Sequence, residues 1–160
     1  MTPALHGDVA PLAFLLGTWR GEGRGGFPTI EPFEYREELV FEHVGEPYLL
    51  YRQESWQLSD DAPVHFERGF LRPGEAAGSL ELCLAHPLGL TEVGHGSLVG
   101  TAIEPAASAG DIGRTATGMD VTGLTRRYRI EGDTLTYELD MATSVTAMTR
   151  HLDATLRRVP

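Results

Sequence analysis

Six histidines, a single cysteine and two clusters of arginine are the side chains of this 160-residue sequence best suited to hold a metal or an anion. A neutral imidazole costs little to supply at pH 7 and ligates iron well. His151 stands in Thr149-Arg150-His151-Leu152-Asp153, where the residues alone read it as a structural member of a terminal strand. His65 is the better pocket candidate among the rest. His6 lies in a terminus, His43 beside a turn, His86 before Pro87 in a loop, and His95 between glycines in a turn. Cys83, between Leu82 and Leu84, reads as a buried and inert thiol rather than a thiolate ligand. Arg126, Arg127 and Arg129 form one basic knot, and Arg150, Arg157 and Arg158 another. Solvated strand faces are the plain reading of both, and a local anion site is the sharper one. Neither a cysteine pair nor a His-x-x-x-His spacing points to zinc. The sequence has no Gly-x-Ser-x-Gly elbow, and the glycines from Gly17 to Gly26 do not fit a dinucleotide fingerprint.

The elements that must position these groups are strands. An apolar segment at residues 9–16 can form a turn or two of helix, after which period-two alternation dominates. Strands are expected at residues 18–24, 34–41, 48–56, 65–72, 79–85, 90–93, 97–104, 125–130, 135–141 and 148–157. Turn chemistry separates them: Gly45-Glu46-Pro47, Asp60-Asp61-Ala62-Pro63, Arg72-Pro73-Gly74, Gly94-His95-Gly96 and Glu131-Gly132-Asp133. About ten short strands at hairpin spacing make an all-β meander, which tends to close into an antiparallel up-and-down barrel and so remove its edges. A barrel of that size is wider than one filled by its own side chains, leaving room for a ligand.

One domain over residues 1–160 fits the length, since a chain this long buries roughly 70% of its unfolded surface. With 13 basic and 23 acidic residues the formal charge is −10, which opposes nucleic acid and anionic membranes as partners. The lone cysteine excludes an intrachain disulfide and suits a reducing compartment. The first residues lack a basic region followed by an apolar run, and a cytoplasmic location is expected.

Three segments name a family. Gly17-Thr18-Trp19-Arg20-Gly21-Glu22-Gly23 gives G-x-W-x-G-x-G, with Gly17, Trp19, Gly21 and Gly23 as its fixed positions, and Phe27-Pro28-Thr29-Ile30 follows. Glu34-Tyr35-Arg36-Glu37-Glu38 is an acidic second strand. Met141-Ala142-Thr143 and then Met148-Thr149-Arg150-His151-Leu152-Asp153-Ala154-Thr155-Leu156 close the chain. The sequence resembles the nitrobindin family from about residue 12 to residue 159. It departs at Phe27, where relatives commonly carry Tyr, and at Gly94-His95-Gly96, where they tend to be acidic.

The resemblance implies a ten-stranded barrel that holds one non-covalent haem b. It makes His151 the axial iron ligand and the catalytic residue. It places Thr29 close to the haem, His65 at a pocket position, and Met141 and Met148 in segments lining the cavity. Arg126 and Arg127 are the nearest available partners for the haem propionates. The activity implied is isomerisation of peroxynitrite to nitrate, with nitric oxide as a further ligand and a homodimer admitted. The rival readings are a nitric oxide or haem carrier without turnover and an apolar-ligand barrel. One difficulty concerns the ligand itself. Strict alternation groups His151 with Thr149, Asp153 and Thr155, opposite Leu152, Ala154 and Leu156. If the leucine face is core, His151 points outward unless a bulge resets the register or the haem sits against a polar wall near the mouth.

Overall fold

Tight turns return each strand onto its predecessor until the last meets the first. The computed structural model describes residues 3–160. Its strands are β1 (Gly17–Phe27), β2 (Ile30–His43), β3 (Leu49–Gln57), β4 (Pro63–Pro73), β5 (Ser79–His86), β6 (Leu90–Val99), β7 (Ala102–Ile103), β8 (Ala106–Ala107), β9 (Ile112–Arg114), β10 (Gly123–Glu131), β11 (Thr134–Ala142) and β12 (Thr149–Arg158). Each long strand pairs antiparallel with the next, β7 and β8 share one position between β6 and β10, and β12 returns to β1. The result is the closed ten-strand antiparallel barrel that the turn spacing predicts, with β9 lying as an extra ribbon on β6.

One expected break is absent. Gly94-His95-Gly96 is not a turn: β6 runs unbroken through it, pairing these residues with Leu82, Glu81 and Leu80. The hairpin falls instead at Gly100, whose φ is +61°, so the strand expected at residues 97–104 is divided. Gly96 is required by a close approach, since a Cβ there would lie 2.3 Å from the Glu104 carbonyl oxygen. Glycines that read as a turn signal serve here to let Glu104 and Pro105, just ahead of β8, lie close against the strand.

The same constraint explains the glycines of the first motif. A Cβ on Gly21 would lie 2.1 Å from the Thr155 carbonyl oxygen, and one on Gly23 2.6 Å from both the Asp153 oxygen and the Tyr35 ring. These positions bring β1 hard against β12, with Gly21 opposite Leu156. Gly21→Ala is therefore expected to cost about 1–3 kcal/mol, read as a lower urea midpoint at unchanged slope. Gly110→Ala, at a site with nothing within 4 Å, should leave the midpoint where it is.

The barrel interior has three layers. At one end a 3-10 helix (Gly7–Leu15) acts as a plug, burying Val9, Leu12 and Leu15 against Trp19, Leu71 and Leu156. Trp19 is fully buried and donates its indole N–H to the Leu15 carbonyl at 2.8 Å, while the Arg158 guanidinium covers its ring at 4.0 Å. A belt of buried polar groups crosses the middle: Glu37, Gln53, Ser55, Glu67, Glu92 and Arg126. Beyond it the far end opens into a cavity. The described residues contain no helix long and apolar enough to cross a membrane.

Candidate functional site

The open end of the barrel encloses about 420 Å³, within the roughly 300–1,000 Å³ of small-molecule and cofactor sites. Ile30, Phe33, Leu90, Leu139, Met141 and Leu152 make its walls mainly apolar, and His65, Glu67, His86 and Arg126 gather on one side.

His151 reaches this cavity through an irregularity in β12. Between the pairs Leu139–Leu152 and Asp140–Arg150, β12 carries one more residue than β11. The extra residue is His151, so a bulge turns both it and Leu152 inward. A matching irregularity lies in the adjoining β1–β2 ladder, between Gly25 and Phe27, where β2 carries the extra residue. It presents the Gly26 carbonyl to His151 Nδ1 at 2.9 Å. A carbonyl only accepts, so Nδ1 carries the proton and Nε2 is left with its lone pair. Phe27 packs edge-on against the ring at 5.7 Å. Burial holds the imidazole below its ordinary pKa, against the Gly26 hydrogen bond, and His65 adds to the lowering. The neutral, ligating form is favoured.

The wall facing His151 belongs to β4 and β5, which stand opposite β12 in the ring. Arg126 is buried there and commits four of its five N–H donors to two carboxylates. It donates to Glu67 at 2.7 and 2.9 Å and to Glu92 at 2.8 and 3.2 Å. Tyr51 donates its hydroxyl to Glu67 at 2.6 Å. Burial alone would raise Glu67, but Arg126 and the two histidines hold it well below the usual carboxylate range. Glu92 is lowered in the same way against its own burial, chiefly by Arg126. Glu37, on β2, is different. Neither oxygen meets hydrogen-bond geometry with any described residue, and burial, reinforced by Glu67, pushes its pKa up to about 8.

The residues singled out from the sequence divide into two groups. His151, His65, Met141 and Arg126 converge on the cavity. Thr29 sits in the exposed turn between β1 and β2, next to the lining residue Ile30. Met148 is 47% exposed and lies outside the cavity. Arg127 faces out of the barrel, paired with Asp140 at 2.8 Å, because alternation along β10 sends it opposite to Arg126. Arg126 pairs its charge and four of its five N–H groups with Glu67 and Glu92, so neither arginine offers a ligand carboxylate a free guanidinium.

A profile of the THAP4-like, heme-binding β-barrel domain matches residues 8–158. The chain belongs to this family. Peroxynitrite isomerase 2 of Mycobacterium marinum is similar to this THAP4-like barrel at 49% identity over 160 residues, covering 99% of each chain. Peroxynitrite isomerase of Nocardia farcinica is 47% identical over 157 residues, covering 97% of this chain and 93% of that one. The crystal structure of Rv2717c from M. tuberculosis superposes with a TM-score of 0.90 at 43% identity, covering 98% of this chain and 100% of that one.

The residues present fit the family's haem. An apolar cavity of cofactor size carries one imidazole whose tautomer is fixed by a backbone carbonyl and whose free nitrogen faces inward, the second-atom arrangement that orients a ligating histidine. Pro87 after it marks His86 for a loop. In the barrel it is the last residue of β5, with its side chain only 5% exposed. The signal for the polar wall was there: Glu67 and Arg126 occupy inward registers that otherwise hold Leu71, Leu124, Tyr128 and Ile130.

Proposed function

We propose that this THAP4-like barrel binds one haem b per chain, non-covalently, through His151 Nε2 and isomerises peroxynitrite to nitrate. The observation that carries the reading is the bulged His151, clamped by Gly26 and bare at Nε2 inside an apolar cavity. Its relatives named peroxynitrite isomerase support the reaction.

Held there by His151, a haem would supply the iron chemistry for isomerising peroxynitrite to nitrate, and nitric oxide would be a further ligand for it. The chain's own part is to hold and enclose. His151 keeps its proton on Nδ1, and the lowering of its pKa by burial favours the neutral form that can donate from Nε2. Apolar walls exclude bulk water and keep reactive fragments together. His65, on the opposite wall, offers a hydrogen-bonding group to an anion in the cavity. A substrate that rearranges into its own isomer needs no general base, and none of the cavity carboxylates is free to act as one.

Haemin titrated into the purified chain should give a saturable Soret band near one equivalent. His151→Ala should weaken that binding at least tenfold and shift the band. Stopped-flow mixing of the loaded protein with peroxynitrite should accelerate its decay to nitrate. A saturable Soret band without acceleration would leave a nitric oxide or haem carrier, and no saturable band would leave an apolar-ligand barrel.

A further inference from the structure

The wall facing His151 contains a second donor set. His65 Nε2 lies 3.3 Å from Glu67 Oε2, His86 Nδ1 lies 3.3 Å from His65 Nε2, and His86 Nδ1 lies 3.2 Å from Glu67 Oε2. These three atoms form a nearly equilateral triangle bordering the cavity. Three N/O donors held at about 2.0–2.1 Å from one tetrahedral ion stand about 3.3–3.4 Å apart. The triangle therefore has the size of one face of such a site.

The surroundings orient two of the three donors, His86 and Glu67, as a metal requires. His86 Nε2 lies 3.2 Å from Glu92 Oε2, so its N–H points at that carboxylate and Nδ1 is left with its lone pair, the carboxylate–histidine arrangement behind a metal ligand. Glu67 Oε1 is taken by Tyr51 at 2.6 Å and Arg126 at 2.7 Å. Oε2 accepts from Arg126 at 2.9 Å and keeps a second lone pair. His65 Nε2 lies 3.3 Å from each of the other two acceptor atoms and bridges them with an N–H; a cation would displace that proton, and three lone pairs would then converge on the ion. A bulge contributes here too: Val64 is the extra residue between the pairs Ser55–His65 and Trp56–Pro63.

We propose that His65 Nε2, Glu67 Oε2 and His86 Nδ1 bind one divalent transition-metal ion of the zinc type, with the fourth vertex open to the cavity. Two histidines and a carboxylate are a catalytic-type donor set, which leaves a position for an exogenous ligand. Charge selects that ligand. The ion and Arg126 outweigh Glu67 and Glu92 by one positive charge, so hydroxide or another small monoanion balances the site. The cavity then offers an anion a binding position on the wall opposite His151, independent of whatever His151 holds.

The test uses the full chain, stripped with a chelator, equilibrated with ZnCl2, freed of excess metal, and assayed by elemental analysis and titration calorimetry. About one equivalent of Zn²⁺ should be retained by the wild type and equally by His151→Ala. His65→Ala and His86→Ala should each bind at least tenfold more weakly, and Glu92→Gln about 10–100-fold more weakly, with folding checked by circular dichroism. His65 has a partly exposed side chain near the mouth, so its truncation keeps the variant set usable if His86→Ala fails to fold. No retention by the wild type overturns the site, as does retention unchanged in both histidine variants. Loss in His151→Ala with retention in His65→Ala also overturns it, and assigns the bound zinc to the haem-ligand position instead.

Discussion

Arg126→Met is expected to lower the unfolding free energy by about 3–5 kcal/mol, the cost of leaving buried charge without its partner. Glu67 and Glu92 are 3% and 2% exposed, and the arginine is their common partner. Both carboxylates are held below their ordinary range, against their burial, chiefly by Arg126. In the wild type their contribution is present above the unfolded carboxylate pKa and is lost as pH falls through the lowered folded value. Removing the arginine leaves burial unopposed and raises those folded values, so the variant's deficit should grow from pH 5 to pH 8. Combining Arg126→Met with Glu67→Gln and Glu92→Gln should recover much of the loss, because whole-network replacement strands no charge. Urea unfolding at the two pH values measures all of this. A single variant as stable as the wild type at pH 8 would show that the belt is not held by this ion cluster.

Glu37→Gln should act in the opposite direction. The folded carboxyl titrates at about 8 and the unfolded one at 4.5. Below 4.5 both states are protonated and the group contributes nothing. Between 4.5 and about 8 only the folded state keeps the proton, so wild-type stability falls as pH rises; above 8 the fall stops. Over that span the linkage is of order 5 kcal/mol. Glutamine cannot ionise, so the variant should gain on the wild type progressively from pH 5 to pH 8. The difference between their unfolding curves at the two pH values isolates this carboxyl. Parallel pH dependence in the two proteins would mean that Glu37 does not stay protonated in the fold.

Much of the barrel is legible in local chemistry. Asp61, at φ +59°, and Gly132, also at +59°, sit in turns marked by their own sequence. The clean alternation of β3, with Leu49, Tyr51, Gln53 and Ser55 inward, follows from period two alone. The failures share one cause, which is that a strand's neighbours decide matters its own residues cannot. Gly94 and Gly96 look like a break until Glu104 and Pro105 are known to lie against them. His86 looks like a loop residue because Pro87 follows it, yet Glu92 and Glu67 on adjacent strands draw it into the wall. Arg126 and Arg127 are chemically alike, and only the parity of β10 separates a buried clamp from a surface pair. The cavity side of His151 was undecidable from alternation, because the bulge that settles it exists only in the pairing with β11.

That bulge makes the inward aim of His151, the proposed haem ligand, a matter of counting as much as of composition. On its C-terminal side even-numbered residues, Leu152, Ala154 and Leu156, point inward, while His151 itself is odd. The barrel thus stores its ligand at a frame shift. Deleting Arg150 would remove the extra position and set His151 opposite Asp140, on the outward parity of β11. Kindred barrels can therefore gain or lose such a ligand by changing length at one strand, with no substitution in the walls, and a comparison of their sequences that ignores single-residue gaps in β12 would miss the difference.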